Sequence, residues 1–178
     1  MNAGMEQVLD PDTADAAGIA DGADAADAPQ GYPTGVIVRF GSARYAVAMS
    51  CVAEVVPVPP MSRVPGCPSW LSGGVNWRGR VLPVVDPRSL VGAELIPMPS
   101  SARLLVLSMD GVEAGLLAEA VSGLLEAGTE NPEPPPATAS PSATSLVTGV
   151  VNDANGPLSL LDAAAVLRLR SQLPSARR

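Results

Sequence analysis

The chain has no histidine and no lysine, and only 3% of its residues are aromatic. Without histidine, the commonest general base and metal ligand is missing. The two cysteines, Cys51 and Cys67, form no CxxC pair and cannot complete a usual zinc set alone. Neither a metal nor a cofactor is expected. No serine stands in a G-x-S-x-G frame, no glycine-rich phosphate loop is present, and Cys51 has no evident activating base. Val84-Val85-Asp86 is followed by Pro87-Arg88, not by the small residues an aspartic-protease motif requires. With no catalytic set, an enzymatic role is not expected.

All 11 cationic side chains are arginines, set against 18 acids. Seven of the acids and none of the arginines fall in residues 1–30, which leaves 11 of each in residues 31–178. A near-neutral body with an acidic tail lacks the basic footprint that nucleic acid demands. Residues 1–30 are dominated by Ala, Asp and Gly without a sustained apolar period, so they are read as a disordered tail. No basic region leads into an apolar core at the N-terminus, and no run approaches the ~18 apolar residues of a membrane span. The expected compartment is the cytoplasm, with both thiols reduced and no membrane insertion.

The stretch that organises the 178-residue chain runs from Gly73 to Arg88. Val75–Trp77 and Val81–Val85 are β-prone apolar runs, and Arg78-Gly79-Arg80 between them has the composition of a tight reversal. This predicts a hairpin with arginines at its tip. Arg78, Arg80 and Arg88 bring three guanidinium groups close in sequence, each a planar fork suited to a carboxylate or to carbonyls of another molecule. The alternative is a solvated hairpin end that only keeps the protein soluble.

Strand patterns recur on both sides of this hairpin. Val36–Phe40 and Arg44–Met49 flank a Gly41-Ser42 turn, and Arg103–Ser108 and Val112–Leu117 flank Asp110-Gly111, the strongest short-range hairpin signal in the chain. Leu146–Val151 and Leu158–Asp162 form another pair, and Ala163–Leu169 reads as a helix that Asp162 could cap. Pro87 is expected at the first position of a helical turn ending at Gly92. The proline-rich segment from Pro57 to Pro68 is expected to run as an extended arm or covering loop. Asn131–Ser145, with five prolines, is read as an exposed loop that can be neither a central strand nor a helix. Roughly nine or ten short strands with turns between them predict an all-β architecture of closed or nearly closed barrels. Periodicity alone allows a single sandwich equally well.

Gly74, Val75, Asn76, Arg78, Gly79, Pro83, Asp86 and Arg88 together resemble the central signature of CheW-like domains, the coupling proteins of bacterial chemotaxis arrays. Further agreement lies in Val52-Ala53-Glu54, in Val64-Pro65 before Pro68, and in Ala118–Val121, where Glu119 replaces the family's usual aspartate. The resemblance spans roughly residues 35–169. It implies two five-stranded, barrel-like (SH3/OB-like) lobes sharing a hydrophobic core, with short helical turns and a C-terminal helix. The implied units are residues 31–170 as the CheW-like domain, residues 131–145 as an exposed loop within it, and residues 171–178 as a basic tail.

The resemblance also implies a non-enzymatic adaptor joining the cytoplasmic tip of methyl-accepting chemoreceptors to the regulatory domain of a CheA-type histidine kinase. In that family one lobe packs on the kinase, and a groove between the lobes receives the receptor's helical hairpin. Arg78 is the best-matched position, with Glu54 as its most plausible acidic partner, although a lone acid in an apolar run also suits an exposed strand face. Val52 and Val55 are candidates for an apolar contact surface or for plain core. Trp77 is a contact residue or a filler of an aromatic-poor core, the latter slightly favoured. Asn76, Arg80 and Arg88 complete the expected partner-binding set. The rival reading is a stand-alone small β-barrel, ligand-binding or structural, that shares only the hairpin signature.

Overall fold

The structure is a computed structural model that describes residues 31–137 and 139–170. The expectations for residues 1–30 and 171–178 lie outside the described residues. Ten strands form two five-stranded sheets. They are β1 (Gly35–Phe40), β2 (Ala43–Ala48), β3 (Val52–Pro57), β4 (Leu71–Trp77), β5 (Arg80–Val85), β6 (Arg103–Met109), β7 (Val112–Ala118), β8 (Ala120–Leu125), β9 (Val147–Asp153) and β10 (Gly156–Leu161). The first sheet has the order β8-β1-β2-β10-β9 and the second β3-β6-β7-β5-β4. Each lobe is barrel-like, but neither sheet closes on itself through a hydrogen-bonded ladder.

The chain enters the first lobe, builds the whole of the second with β3 to β7, and returns at Glu119 to finish the first. Alternation along the strands places apolar side chains on both faces of each sheet. Val36, Val38 and Phe40 of β1 meet Val85, Leu105, Leu107 and Leu116 of the other sheet in one shared core. Ile37, Ala46, Val151 and Leu158 form a second cluster inside the first lobe, and Val75, Leu82, Val84, Leu104 and Val106 a third inside the second. The lobes are therefore joined by a continuous interior as well as by chain crossings. Phe40 and Tyr45, with ring centroids 4.9 Å apart, form an aromatic pair within the shared core, which otherwise is filled largely by Val, Leu and Ala.

Among the described residues three short α-helices, α1 (Arg88–Val91), α2 (Pro141–Thr144) and α3 (Ala163–Leu169), and a 3-10 turn at Met49–Cys51 complete the fold. Helix α1 ends at Gly92 in the left-handed conformation, as expected, but Pro87 occupies the N-cap, one position before the first helical residue. Helix α2 corrects the expectation that 131–145 excludes a helix. Pro141 sits at the start, where its missing N–H costs nothing, and Ser140 Oγ accepts from Ala143 N at 3.1 Å. Helix α3 buries Ala163, Ala165, Val166 and Leu167 against the shared core. Asp162 stands at its N-cap without capping through its side chain; Arg168 Nη2 donates to Asp162 Oδ2 at 3.1 Å instead.

Candidate functional site at the β4–β5 hairpin

The β4–β5 reversal is made by Arg78 and Gly79 alone, with Trp77 paired to Arg80 across the ladder. Both turn residues have positive φ, 51° and 79°, the requirement of a two-residue turn whose twist matches the strands. Asn76 holds the turn by accepting from Gly79 N at 3.1 Å through Oδ1. The strand leading into it is pinned from outside: Ser62 and Gly74 exchange two backbone hydrogen bonds of 2.9 Å each. A Cβ on Gly73 would collide with the Ser62 carbonyl oxygen, so glycine there lets the proline-rich arm lie against β4.

At the exposed end, Arg78 Nη2 donates to Glu54 Oε2 at 2.7 Å, and its guanidinium carbon lies 5.2 Å from the Trp77 ring centroid. Glu54 reaches this place because β3 carries a bulge at Ala53, which shifts register between Val52 and Glu54. Val52 and Val55, three residues apart, consequently share the ladder positions of Leu107 and Leu105. Val52 packs partly buried against the shared core, whereas Val55 is 38% exposed on the edge of the sheet. Trp77 is half-buried against the cluster inside the second lobe, so one ring serves both as packing and as a platform for Arg78.

The three arginines separate. Arg80 Nη2 donates to Glu113 Oε2 at 2.7 Å beside the hairpin, an acid the sequence reading did not single out. Glu113 is the lone charge of β7, which was the available signal. Arg88 opens α1, just beyond the far end of β5, and is buried. Its Nε and Nη2 donate to Asp86 at 3.0 and 2.7 Å, and its Nη1 donates to the Ile96 carbonyl at 2.7 Å and to Glu119 Oε1 at 3.5 Å. The Asp86 hydrogen bond raises the Arg88 pKa, so the charge is fixed. Arg88 is thus part of the lobe junction and does not share the exposed hairpin end with Arg78 and Arg80.

A second feature lies between the lobes. A cavity of about 260 Å³, lined by Gly35, Cys51, Met109, Leu161 and Ala164, adjoins a cleft of about 600 Å³ that runs along α3 past Val112 and Leu167. Met109 and Ala164 line both. The sequence reading expected such a groove only through family resemblance and did not name its walls.

Two β lobes, an exposed charged hairpin and an apolar cleft define a protein that works through its surfaces. Among the described residues, no cluster of three or more His, Cys, Asp or Glu could hold a metal ion, and no helix is long and apolar enough to cross a membrane. Residues 34–171 match the CheW-like domain, and the chain belongs to that family. It is similar to Protein PilI of Pseudomonas aeruginosa, 35% identical over 51% of this chain and 51% of that protein, so the match spans about half of PilI. It is 28% identical to the chemotaxis protein CheW of Rhizobium meliloti over 65% of this chain and 75% of that one. The crystal structure of the scaffolding protein TtCheW from Thermoanaerobacter tengcongensis shares the fold, with a TM-score of 0.65 and 23% identity over 76% of this chain and 85% of that chain. The family consists of non-enzymatic scaffolds, and the chain is an adaptor of the chemotaxis and signal-transduction type.

Proposed function

We propose that residues 31–170 couple the cytoplasmic tip of a chemoreceptor to the regulatory domain of a CheA-type histidine kinase, with the β4–β5 hairpin end at the kinase contact. The observation that carries this reading is the Glu54–Arg78 pair, held at the surface beside Trp77. The indole supplies apolar area while the paired charges set register, a combination suited to a specific protein contact. The cleft, apolar along Met109, Val112, Ala164 and Leu167 and also lined by Asp110, Arg168 and Arg170, has the character expected of a receptor-helix groove. The shared core backs the cleft and the cluster inside the second lobe backs the hairpin, on two faces of one packed sheet, so a rigid body could favour one kinase–receptor geometry over another.

The test is binding of the purified protein to the isolated regulatory domain of a CheA-type kinase from the same organism. Arg78→Ala and Glu54→Gln are compared with wild type and with a chain starting at Gly31, all checked for folding by circular dichroism. Saturable binding that either substitution weakens by about tenfold or more is expected, with the shortened chain binding as wild type. Unchanged binding by both variants removes the hairpin from the contact. No binding to any such domain overturns the coupling reading in favour of a stand-alone β-barrel.

A further inference from the structure

Both ends of the chain meet the groove between the lobes. Pro33, close to the start of the described residues, lines the cavity of about 260 Å³, which reaches the first turn of α3 at Ala163 and Ala164. From Ala164 the cleft of about 600 Å³ continues past Leu167 to Arg168 and Arg170, where α3 ends. The N-terminal segment therefore enters the fold at one end of this groove, and the C-terminal segment leaves it at the other.

The two segments carry opposite charge. Residues 1–30 hold seven acids and no arginine, whereas the run from Arg168 to Arg178 holds four arginines and no acid. Arg168 is paired with Asp162. Arg170 Nη1 donates to the Glu113 carbonyl at 3.2 Å but meets no carboxylate among the described residues, since that of Glu113 is held by Arg80. Of the two acids lining the cavity and the cleft, Asp162 is thus engaged, and Asp110 in the β6–β7 turn is the one that opposes an acidic occupant. The apolar parts correspond as well. Val112 and Leu167 line the cleft, and in the N-terminal segment Met5, Val8 and Leu9 stand at i, i+3 and i+4, the spacing of one helix face, with Glu6 and Asp10 four apart beside them. An apolar patch bordered by acids thus has an apolar cleft bordered by arginine within its reach. The seven residues of α3 span only about 10 Å, while the chain between Leu9 and Pro33, as a flexible linker, reaches about 25 Å on average. Such a tether holds the local concentration in the millimolar range, so a weak contact suffices to populate the docked form.

We propose that the acidic N-terminal segment occupies the α3 cleft of its own chain, with Met5, Val8 and Leu9 on the apolar wall and Glu6 and Asp10 towards Arg170 and the arginines beyond it. The segment is then a built-in competitor for any helix the cleft receives. That consequence rests on the reading of the cleft as a receptor groove, whereas the docking itself does not. Salt screens the charged part of the contact and releases the segment.

The experiment is paramagnetic relaxation in the full chain, with a nitroxide on Ala3→Cys after Cys51→Ala and Cys67→Ala. The amide signals of Val112, Ala164 and Leu167 are expected to broaden more than those of Gly41 and Ser42, at the opposite end of β1 from Pro33. Val8→Ser combined with Leu9→Ser removes apolar contact at constant charge and touches neither sheet, so a loss of broadening there is not a loss of folding. That variant, Arg170→Glu, and salt raised to about 0.5 M should each cut the broadening by about half or more. Broadening spread evenly over both lobes, or unchanged by the serine substitutions, overturns the proposal. In a second measurement, with the isolated helical hairpin of a chemoreceptor tip as the probe, the serine variant should bind about threefold or more tighter than wild type. Broadening confined to the cleft and lost on substitution, with equal binding of the receptor hairpin by the two chains, supports the docking and removes the receptor from this cleft.

Discussion

Arg88 bridges Asp86, two residues before it, and Glu119, at the point where the chain crosses from one lobe back to the other. Glu119 in turn accepts from the backbone N–H of Gly41 in the β1–β2 turn at 3.1 Å. One buried guanidinium thus ties the end of β5 to the crossover and, through Glu119, to the first lobe. Removing one partner of such a cluster leaves an uncompensated buried charge, which costs about 3–5 kcal/mol. Arg88→Ala is expected to lose that much in urea unfolding, enough to leave a marginally stable domain partly unfolded. Glu119→Gln keeps an acceptor for Gly41 and should cost less. Equal losses from the two would show that the charge of Glu119 matters as much as that of Arg88.

A separate expectation concerns Arg78, whose φ of 51° is left-handed and whose side chain is 71% exposed. An exposed ion pair contributes only about 0–1 kcal/mol, so its loss should be modest. The backbone position discriminates further. Arg78→Gly removes the same side chain as Arg78→Ala but relieves the conformational cost of a Cβ at positive φ, about 1 kcal/mol. Thermal unfolding should therefore rank the glycine variant above the alanine variant. The reverse order would mean that the turn carries no strain.

Much of this was legible in the sequence because local chemistry decides it. Arg78-Gly79-Arg80 and Asp110-Gly111 mark their hairpins directly; in the structure both turns have two residues, with positive φ at each position, and Arg80 belongs to the ladder. The Glu54–Arg78 contact followed from family resemblance and not from spacing, because the bulge at Ala53 that delivers Glu54 leaves no periodic trace. Proximity along the chain groups Arg88 with the hairpin arginines, because it does not show that β5 carries the chain from the hairpin to the far end of the sheet, where Arg88 opens α1. Its burial depends on Glu119, 31 residues away. Helix α2 is hidden by Pro141 and the four prolines before it, which read as breakers unless one falls at a helix start behind a capping serine.

Gly73 should be intolerant of a side chain for a reason unrelated to the turn. Its φ of 148° and the Ser62 carbonyl against it leave no room for a Cβ, and the obstacle is backbone that cannot rotate away. Gly73→Ala is expected to detach the proline-rich arm from β4 and to cost about 2 kcal/mol or more. Hydrogen exchange at Ser62 and Gly74, whose N–H groups bond each other's carbonyls, reports the detachment. Protection retained at both amides in the variant would show that the arm is held by other contacts.

Asp153 provides the pH dependence. Arg44 Nη1 donates to Asp153 Oδ1 at 2.8 Å while Nη2 engages Oδ2, and Asn155 N donates to Oδ1 at 2.7 Å. The Arg44 hydrogen bonds, aided by Asn155 and opposed by burial, hold the Asp153 carboxyl at about 2 against an ordinary 3.8. A carboxyl whose folded-state pKa is depressed contributes stability that is fully present above its unfolded value and disappears as pH falls through the folded one. Stability from this pair should therefore be constant above about pH 4 and vanish between about pH 4 and 2. Asp153→Asn removes the titrating group while keeping its shape. The difference in unfolding free energy between wild type and this variant should be flat at neutral pH and shrink as pH falls through 2, below which the wild-type carboxyl is also neutral. A difference that persists unchanged into strong acid would mean that Arg44 holds β2 to the β9–β10 turn through shape and hydrogen bonding alone, with no contribution from charge.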